Sequence, residues 1–448
     1  MRLKSFNLNI YKKIKPFNKI INVDSDKSLS IRSFIIGAIS QDISKANNVL
    51  ESEDVFSTIN ALKKLGVKIK RYKSKSYYIY GKGLGSLFAK KNLNLNFGNS
   101  GTLARLLIGV LSTNPDITVL IKGDKSLNKR NMKKLIELME EFGAEFFPKN
   151  KFNFPLKLVS SEMPIGINYE AGISAQLKSA VILGGLNAYG ITEINEKNKS
   201  RDHTERMLYK NSEVLKVVNG KNKLIKVFGK KKLSSVNIDV PGDPSSAAFF
   251  TALTLLNKNS RLKIKNVGLN PTRIGFYELL KKHGAKIKFK NIKKNNNEIS
   301  GDIFVESSKI RPIKASKDFY VKTTDEYPIL SIIAALTKGT SVFKGIGDLV
   351  NKESNRIKEM QKVLKQIGIK SKATKDQLKI FGKNQFISKS KTIKIPDIKD
   401  HRIFQSTSIL ALITGTTAKM KKFETVFTSA PSFLNIIKSL GGEFEIEK

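Results

Sequence analysis

Small polar and charged residues recur at six places in the chain, each directly before a strongly apolar run. They are Asp26-Lys27-Ser28, Asn99-Ser100-Gly101-Thr102, Ser174-Ala175-Gln176, Asp243-Pro244-Ser245-Ser246, Thr324-Asp325-Glu326 and Asp400-His401-Arg402. Such residues cap helix N-termini, and we expect caps at Asp26, Asn99, Ser174, Asp243 and Asp400. Lys27 and Arg402 do not fit this explanation, because the helix dipole repels a cation at that end. Several helix N-termini gathered with cations predict a site for phosphate or carboxylate.

The scarce arginines gather in polar segments. The chain has 12 Arg, and seven of them lie in such segments: Arg32, Arg105 and Arg402 in or beside the clusters above, Arg130 in GDKSLNKRNM, Arg201 and Arg206 in Ser200–Arg206, and Arg356 in Lys352–Arg356. Two acids, Asp325 and Glu353, stand among these cations. An acid in such a setting is more often an ion-pair partner, but two of them could also act as base and acid in proton transfer.

The polar clusters mark a sixfold repeat, with positions 28, 101, 174, 245, 325 and 402 separated by 73, 73, 71, 80 and 77 residues. Each apolar run predicts a buried helix, followed by a strand, an amphipathic outer helix and another strand. Five outer helices are expected to end at a glycine C-cap: Gly66, Gly143, Gly284, Gly368 and Gly441. The third outer helix, MLYKNSEVLKVV, lacks that glycine. The repeating unit is therefore strand–helix–strand–helix–strand.

Six such units exceed what one core can hold. The pattern predicts an α/β protein with two similar lobes of three units each, in which parallel helices are buried and surrounded by sheets. One lobe is expected at residues 25–240, and the other at residues 1–24 together with 241–448.

Composition narrows the classes of function. The 448 residues include 40% hydrophobic residues, no Cys and three His, which excludes disulfides and thiolate metal sites and argues against a histidine-rich metal site. The net charge of +43 would suit a nucleic-acid binder, but the lysines are spread over the whole chain, which favours compositional bias. No apolar run reaches the roughly 18 residues of a membrane span, and the start lacks an apolar signal segment, so we expect a cytoplasmic protein.

Nine segments together resemble one enzyme family over essentially the whole chain. They are DKSLSIR, GNSGTLAR, GDKSLNKRNM, SAQLKSAVILGGL, SRDHTERML, PGDPSSAAFF, DEYPIL, NKESNRI and DHR. The family is that of 5-enolpyruvylshikimate-3-phosphate synthase. The resemblance implies an inside-out α/β barrel fold in two lobes that close over the substrates. It also implies transfer of the enolpyruvyl group of phosphoenolpyruvate to the 5-hydroxyl of shikimate 3-phosphate, with release of phosphate. No metal, cofactor, nucleic acid or membrane is implied, and we expect a monomer.

The resemblance also implies roles for individual residues. The expected ligands of shikimate 3-phosphate are Lys27, Ser28, Arg32, Ser174, Gln176, Ser200, Asp325 and Lys352. The expected ligands of phosphoenolpyruvate are Lys27, Gly101, Arg130, Gln176, Arg356 and Arg402. Asp325 is similar to the base that takes the 5-hydroxyl proton, Glu353 to the acid toward the enol methylene, and Lys27 joins them as a catalytic residue. At Gly101 a missing Cβ would leave room for phosphoenolpyruvate, and we expect glyphosate to compete there.

Two other functions stay open. A UDP-N-acetylglucosamine enolpyruvyl transferase shares the fold, but it typically uses a loop cysteine, and this chain has none. A nucleic-acid-binding protein would instead bind DNA with a steep dependence on salt.

Overall fold

The computed structural model describes residues 5–383 and 392–447. Two compact units divide the chain. The first unit consists of Ser25–Val240 and Lys294–Glu298, and the second of Met1–Asp24, Pro241–Lys293 and Ile299–Lys448. Residues 1–4, 384–391 and 448 of the second expected lobe lie outside the described residues.

The helices begin and end as follows: α1 (Lys27–Ile39), α2 (Glu53–Lys64), α3 (Gly101–Thr113), α4 (Lys133–Glu141), α5 (Ala175–Gly185), α6 (His203–Leu208), α7 (Pro244–Leu256), α8 (Gly275–Lys282), α9 (Tyr320–Thr323), α10 (Tyr327–Ala335), α11 (Arg356–Gln366), α12 (His401–Thr414) and α13 (Phe433–Ser439). No helix among the described residues is both long and apolar enough to cross a membrane.

The strands have these bounds: β1 (Asn7–Ile10), β2 (Asn18–Asn22), β3 (Ile43–Asn47), β4 (Lys68–Lys73), β5 (Ser76–Tyr80), β6 (Leu93–Asn96), β7 (Thr118–Lys122), β8 (Glu145–Phe147), β9 (Leu156–Val159), β10 (Asn168–Ala171), β11 (Ile191–Glu196), β12 (Leu215–Asn219), β13 (Lys223–Phe228), β14 (Asn237–Asp239), β15 (Arg261–Gly268), β16 (Lys286–Asn295), β17 (Glu298–Glu306), β18 (Lys314–Ala315), β19 (Gly339–Lys344), β20 (Lys370–Ala373), β21 (Gln377–Gly382), β22 (Ile393–Ile395), β23 (Ala418–Met420) and β24 (Glu445–Glu447).

Within the described residues, each unit contains three four-stranded sheets. Those of the first unit have the orders β14–β3–β5–β4, β6–β7–β9–β8 and β10–β11–β13–β12, and those of the second β16–β17–β15–β2, β18–β19–β21–β20 and β22–β23–β1–β24. In four of the six sheets, a buried helix joins two parallel strands, as β6–α3–β7 shows, because parallel strands need such a crossover. The parallel partners of β3 and β15 are β14 and β2, which come from other parts of the chain.

The six predicted inner helices are buried nearly all round: α1, α3, α5, α7, α10 and α12. Those of each unit belong to a separate hydrophobic core. Close packing of α3 on α5 depends on Gly109, where a Cβ would lie 2.5 Å from the carbonyl oxygen of Ala180. The helix starts that carry the polar clusters are therefore fixed by the cores beneath them.

The predicted glycine caps are confirmed, because all five glycines after the outer helices have φ between 74° and 100°. Two other local predictions are wrong. Ser100, and not Asn99, caps α3, with its Oγ 3.2 Å from the Leu103 amide, because the Asn99 side chain binds Arg130 instead. The predicted third outer helix is only α6, and the LKVV segment forms the edge strand β12, which suits its β-branched residues.

Candidate active site

The start of α1 in the first unit holds a cation. Asp26 caps the helix by accepting a hydrogen bond from the Leu29 amide at 2.9 Å. Lys27, the first residue of the helix, lies beside Asp54, with 2.9 Å between Nζ and Oδ2. Half-buried Ser28 lies next to it, and its carbonyl oxygen accepts from Arg32. An anion at this helix end would meet both the lysine and the positive end of the helix dipole.

Arg32 is buried and bound to neutral oxygens. Its Nε donates to Thr204 Oγ1 at 2.9 Å, and its Nη2 donates to Ser179 Oγ at 3.0 Å. These bonds join α1 to α5 and α6. They fix the direction of the guanidinium group.

Two guanidinium groups lie over Gly101 at the start of α3. A Cβ at this position would be 2.6 Å from Arg130 Nη1 and 2.9 Å from Arg105 Nη1. Arg130 donates to the amide oxygen of Asn99 at 2.6 Å, and its buried Nε has no acceptor within the described part of the chain. Two like charges this close repel, so an anion bound between them and the helix N-terminus would be strongly stabilised.

The side chain of Gln176 is fixed at both ends of its amide group. Its Oε1 accepts from Arg105 Nη1 at 2.9 Å, and its Nε2 donates to Thr102 Oγ1 at 2.9 Å. Ser174 caps the same helix, α5, with its Oγ 3.4 Å from the Leu177 amide. Arg105, to which the sequence analysis assigned no separate role, thus joins Gly101 to Gln176 by donating to the Gly101 carbonyl and to Gln176 Oε1.

Ser200 lies in the loop between β11 and α6, and it is buried. Its Oγ and its backbone amide both donate to Glu196 Oε1, at 2.6 and 2.8 Å. The adjoining helix is held by His203, whose Nδ1 is 2.7 Å from Glu298 Oε1. Glu196 and Glu298, which were not identified in the sequence analysis, lie outside the segment SRDHTERML.

In the second unit, one buried arginine gathers three carboxylates. Arg356 begins α11, and its side chain is 1% exposed. Its Nη2 is 2.6 Å from Glu353 Oε2, its Nη1 is 3.4 Å from Asp325 Oδ1, and its Nε is 3.0 Å from Asp400 Oδ2. Burial opposes the charge, but the carboxylates outweigh burial and raise the pKa of Arg356 above its ordinary value.

The two acids expected to move protons are therefore brought to one guanidinium group. The side chains of Asp325 and Glu353 remain 25% and 22% exposed, whereas Asp400 is 0% exposed. Asp325 and Glu353 are within reach of a ligand, and Asp400 is a support for Arg356. The capping position of Asp400 gave no hint of this second role.

Arg402, in the first turn of α12, is buried against an aromatic ring. Its guanidinium carbon is 5.7 Å from the centre of the Phe249 ring, and its Nη1 donates to Gln405 Oε1 at 3.4 Å. Asp400 Oδ1 accepts from the Arg402 backbone amide at 3.0 Å. The Nε of Arg402 has no hydrogen-bond partner in residues 5–383 and 392–447, which leaves this N–H as a donor for a ligand.

Lys352 is held by Asp348, an acid that the sequence analysis did not identify. Its Nζ is 2.5 Å from Asp348 Oδ2, and the same oxygen accepts from the Tyr320 hydroxyl at 2.8 Å. Burial, followed by the nearby carboxylate, raises the pKa of Tyr320 well above its ordinary value, so the hydroxyl stays a neutral donor. Asp348 thus fixes the side chain of Lys352, which lies shortly before α11.

The chain as a whole is similar to the proteins of one family. The model of EPSP synthase (3-phosphoshikimate 1-carboxyvinyltransferase) matches residues 11–437. The 3-phosphoshikimate 1-carboxyvinyltransferase of Thermodesulfovibrio yellowstonii is 39% identical over 433 residues, which cover 96% of this chain and 99% of that protein. The one of Zymomonas mobilis is 36% identical over 441 residues, covering 98% and 97%.

Solved structures agree. EPSP synthase from Acinetobacter baumannii superposes with a TM-score of 0.84 at 35% identity, over 99% of this chain and 100% of that one. The enolpyruvyl transferase NikO from Streptomyces tendae, with a TM-score of 0.75 at 11% identity over 99% of each chain, shares the fold. The predicted α/β fold is confirmed, and the chain belongs to the EPSP synthase family.

Proposed function

We propose that this chain transfers the enolpyruvyl group of phosphoenolpyruvate to the 5-hydroxyl of shikimate 3-phosphate and releases phosphate. This is a step of the shikimate pathway, which leads to chorismate and the aromatic amino acids. The family membership supports the reaction. The observation that carries it is the Arg356 cluster, in which one buried cation holds the expected base and the expected acid.

The charges of the two substrates explain why so many cations are needed. Each substrate carries a phosphate of about −1.5 to −2 charges at neutral pH and a carboxylate. We assign Lys27, Ser28, Arg32, Ser174, Gln176, Ser200, Asp325 and Lys352 to shikimate 3-phosphate, and Lys27, Gly101, Arg130, Gln176, Arg356 and Arg402 to phosphoenolpyruvate. Preorganised cations of this kind stabilise negative charge without reorganising during the reaction.

The proposed chemistry needs one base and one acid. Asp325 takes the proton of the 5-hydroxyl as its oxygen bonds to C2 of phosphoenolpyruvate, while Glu353 gives a proton to the methylene carbon, which becomes a methyl group. In the second step the Glu353 carboxylate takes a proton back from this methyl group and the double bond re-forms. The bond from C2 to the phosphate oxygen breaks, and phosphate leaves with the proton that Asp325 had taken. Lys27, beside the start of α1, stabilises charge on the substrates during both steps. Catalysis is then mainly positioning and electrostatic stabilisation.

We further propose that the chain acts as a monomer in the cytoplasm. Each unit has its own three sheets and its own core, which supports folding without a second copy. Highly charged substrates do not cross membranes unaided, which supports an intracellular site. Light scattering of the purified protein should give a mass near 50.0 kDa, and a mass twice that would contradict the monomer.

Phosphate release tests the proposed reaction and its rivals together. We expect phosphate to be released only when phosphoenolpyruvate and shikimate 3-phosphate are both present. We expect no phosphate release when UDP-N-acetylglucosamine replaces shikimate 3-phosphate. Release with the nucleotide sugar would favour the related transferase. No release with either acceptor, together with DNA binding that weakens steeply with salt, would favour a nucleic-acid-binding protein.

A further inference from the structure

Four buried charged side chains form one cluster in the first unit, which we call the buried quartet: Lys178 on α5, Glu196 at the end of β11, Glu205 on α6 and Lys223 at the start of β13. Lys178 Nζ is 2.7 Å from Glu196 Oε1 and 2.8 Å from Glu205 Oε1. Lys223 Nζ is 2.9 Å from Glu205 Oε1 and 3.5 Å from Glu196 Oε2. The side chains of Lys178 and Glu196 are 0% exposed. The cluster thus contains as many cationic as anionic side chains.

Stability alone is a poor reason for such a cluster. Removing charged groups from water is costly, and apolar side chains of similar size often stabilise a core equally well. Glu205 and Lys223 are nevertheless kept charged, because the pKa of Glu205 is lowered and that of Lys223 is raised. Burial alone would raise the pKa of Glu205, but its two lysines outweigh burial and lower that pKa. The useful question is therefore what the buried quartet holds in place.

One oxygen of the quartet anchors the loop of Ser200. Glu196 Oε1 accepts from the Ser200 amide at 2.8 Å, from the Ser200 hydroxyl at 2.6 Å and from Lys178. Because the carboxylate offers no hydrogen, the hydroxyl hydrogen of Ser200 must point toward Glu196. In this structure the Ser200 hydroxyl thus donates to Glu196. Its oxygen remains able to accept a hydrogen bond from a substrate hydroxyl.

The other end of the same ion pair lies in the helix start that carries two more expected ligands. Lys178 follows Ser174 by four residues and Gln176 by two, all at the N-terminal end of α5. The contact between Lys178 and Glu196 therefore ties the Ser200 loop to this helix start. Any loosening of that contact would change the distance between two segments expected to touch the same substrate.

We propose that Glu196 and Lys178 are positioning residues for shikimate 3-phosphate: they set the Ser200 loop against the start of α5 without touching the substrate. Ser200 then serves by its fixed place. This inference rests on the proposed function. Glu205 and Lys223 complete the charge balance but do not bond to Ser200.

Two charge-balanced double variants separate the positioning role from simple stability. Lys178→Met with Glu196→Leu removes one cation and one anion together with the oxygen that accepts from the Ser200 loop. Lys223→Met with Glu205→Leu removes the same charges but leaves the bonds among Ser200, Glu196 and Lys178. Titration calorimetry with shikimate 3-phosphate alone should show Kd raised at least tenfold in the first variant and less than threefold in the second. The KM for phosphoenolpyruvate should change less than threefold in both.

A readout without substrate keeps this inference separate from the proposed function. Amide hydrogen exchange of residues 197–202 should become faster in the first double variant and stay unchanged in the second. If the first does not fold, Glu196→Asp takes its place, because it keeps the charge and draws the carboxylate back by roughly 1.5 Å.

The positioning role is overturned if both double variants change Kd and loop exchange alike, or if neither does. Wild-type protein that neither binds nor turns over shikimate 3-phosphate, with the exchange difference present, would instead refute the proposed function while the loop anchor stands.

Discussion

Replacing Gly101 by Ala is expected to disturb the anion site at the start of α3 with little harm to the fold. The added Cβ would lie 2.6 Å from Arg130 Nη1 and 2.9 Å from Arg105 Nη1, whereas atoms of this size pack at roughly 3.5 Å. Both guanidinium groups must therefore move by somewhat less than about 1 Å. They are the ends of flexible side chains, so the free energy of unfolding should fall by less than about 1 kcal/mol.

The Gly101→Ala change should instead weaken the binding of phosphoenolpyruvate. A charge-assisted hydrogen bond contributes about 1.5 to 3 kcal/mol, and a displaced Arg130 loses part of one, while Arg105 no longer holds Gln176 in place. Since about 1.4 kcal/mol is a factor of ten, we expect the KM for phosphoenolpyruvate to rise about tenfold. Glyphosate, expected at the same place, should inhibit the variant less strongly.

Steady-state phosphate release at varied phosphoenolpyruvate, with and without glyphosate, measures both effects. Gly172→Ala is the matched control, because a Cβ there meets no atom within 4 Å, and it should behave as the wild type. Equal KM values and equal glyphosate inhibition for Gly101→Ala and wild type would refute the anion site at this helix start.

Three further predictions concern buried charges. Arg356→Met leaves three carboxylates without their shared cation, so urea denaturation should show about 3 to 5 kcal/mol less stability; a loss below 1 kcal/mol would contradict the cluster. The pKa of Glu205 is lowered in the folded state, so its charge stabilises the fold above the ordinary value of 4.5 and this contribution is lost as pH falls below it. Glu205→Gln should accordingly flatten the acid limb of stability against pH, and an unchanged limb would contradict this. Phe249→Leu removes the ring beside Arg402, a contact of about 1 to 2 kcal/mol, and should raise the KM for phosphoenolpyruvate roughly 5- to 30-fold. The control Phe250→Leu should not, and equal KM values would refute the contact.

The repeat could be predicted because its signals are local. Capping residues, apolar runs and glycines after the outer helices lie within a few residues of the structure that they specify. The strand pairs β2–β15 and β14–β3 could not be predicted in this way, because each joins segments about 200 residues apart or more and depends on the assembled core. The cap of α3 failed for a similar reason. Asn99 and Ser100 are both good caps, and the distant Arg130 decides between them.

The residues of the site also differ in whether a local sequence pattern could identify them. The sequence identified Asp325, Glu353 and Arg356 by residue type and order, and the structure brings these three together. The sequence did not indicate the contact between Lys27 and Asp54, because an ion pair between separate elements leaves no local pattern. A lysine such as Lys178 within an apolar helix was the available hint of the buried quartet, because an apolar helix rarely buries a charge without a partner.

The most direct test of the proposed reaction is phosphate release from phosphoenolpyruvate and shikimate 3-phosphate by the Asp325→Asn variant. Asn has nearly the same shape as Asp but cannot take a proton, so we expect kcat to fall at least 100-fold, with the calorimetric Kd for shikimate 3-phosphate within tenfold of wild type. The same change at Asp397, an acid paired with Lys422 at the surface, should leave kcat unchanged. An Asp325→Asn variant that retains wild-type kcat would contradict the assignment of this carboxylate as the base.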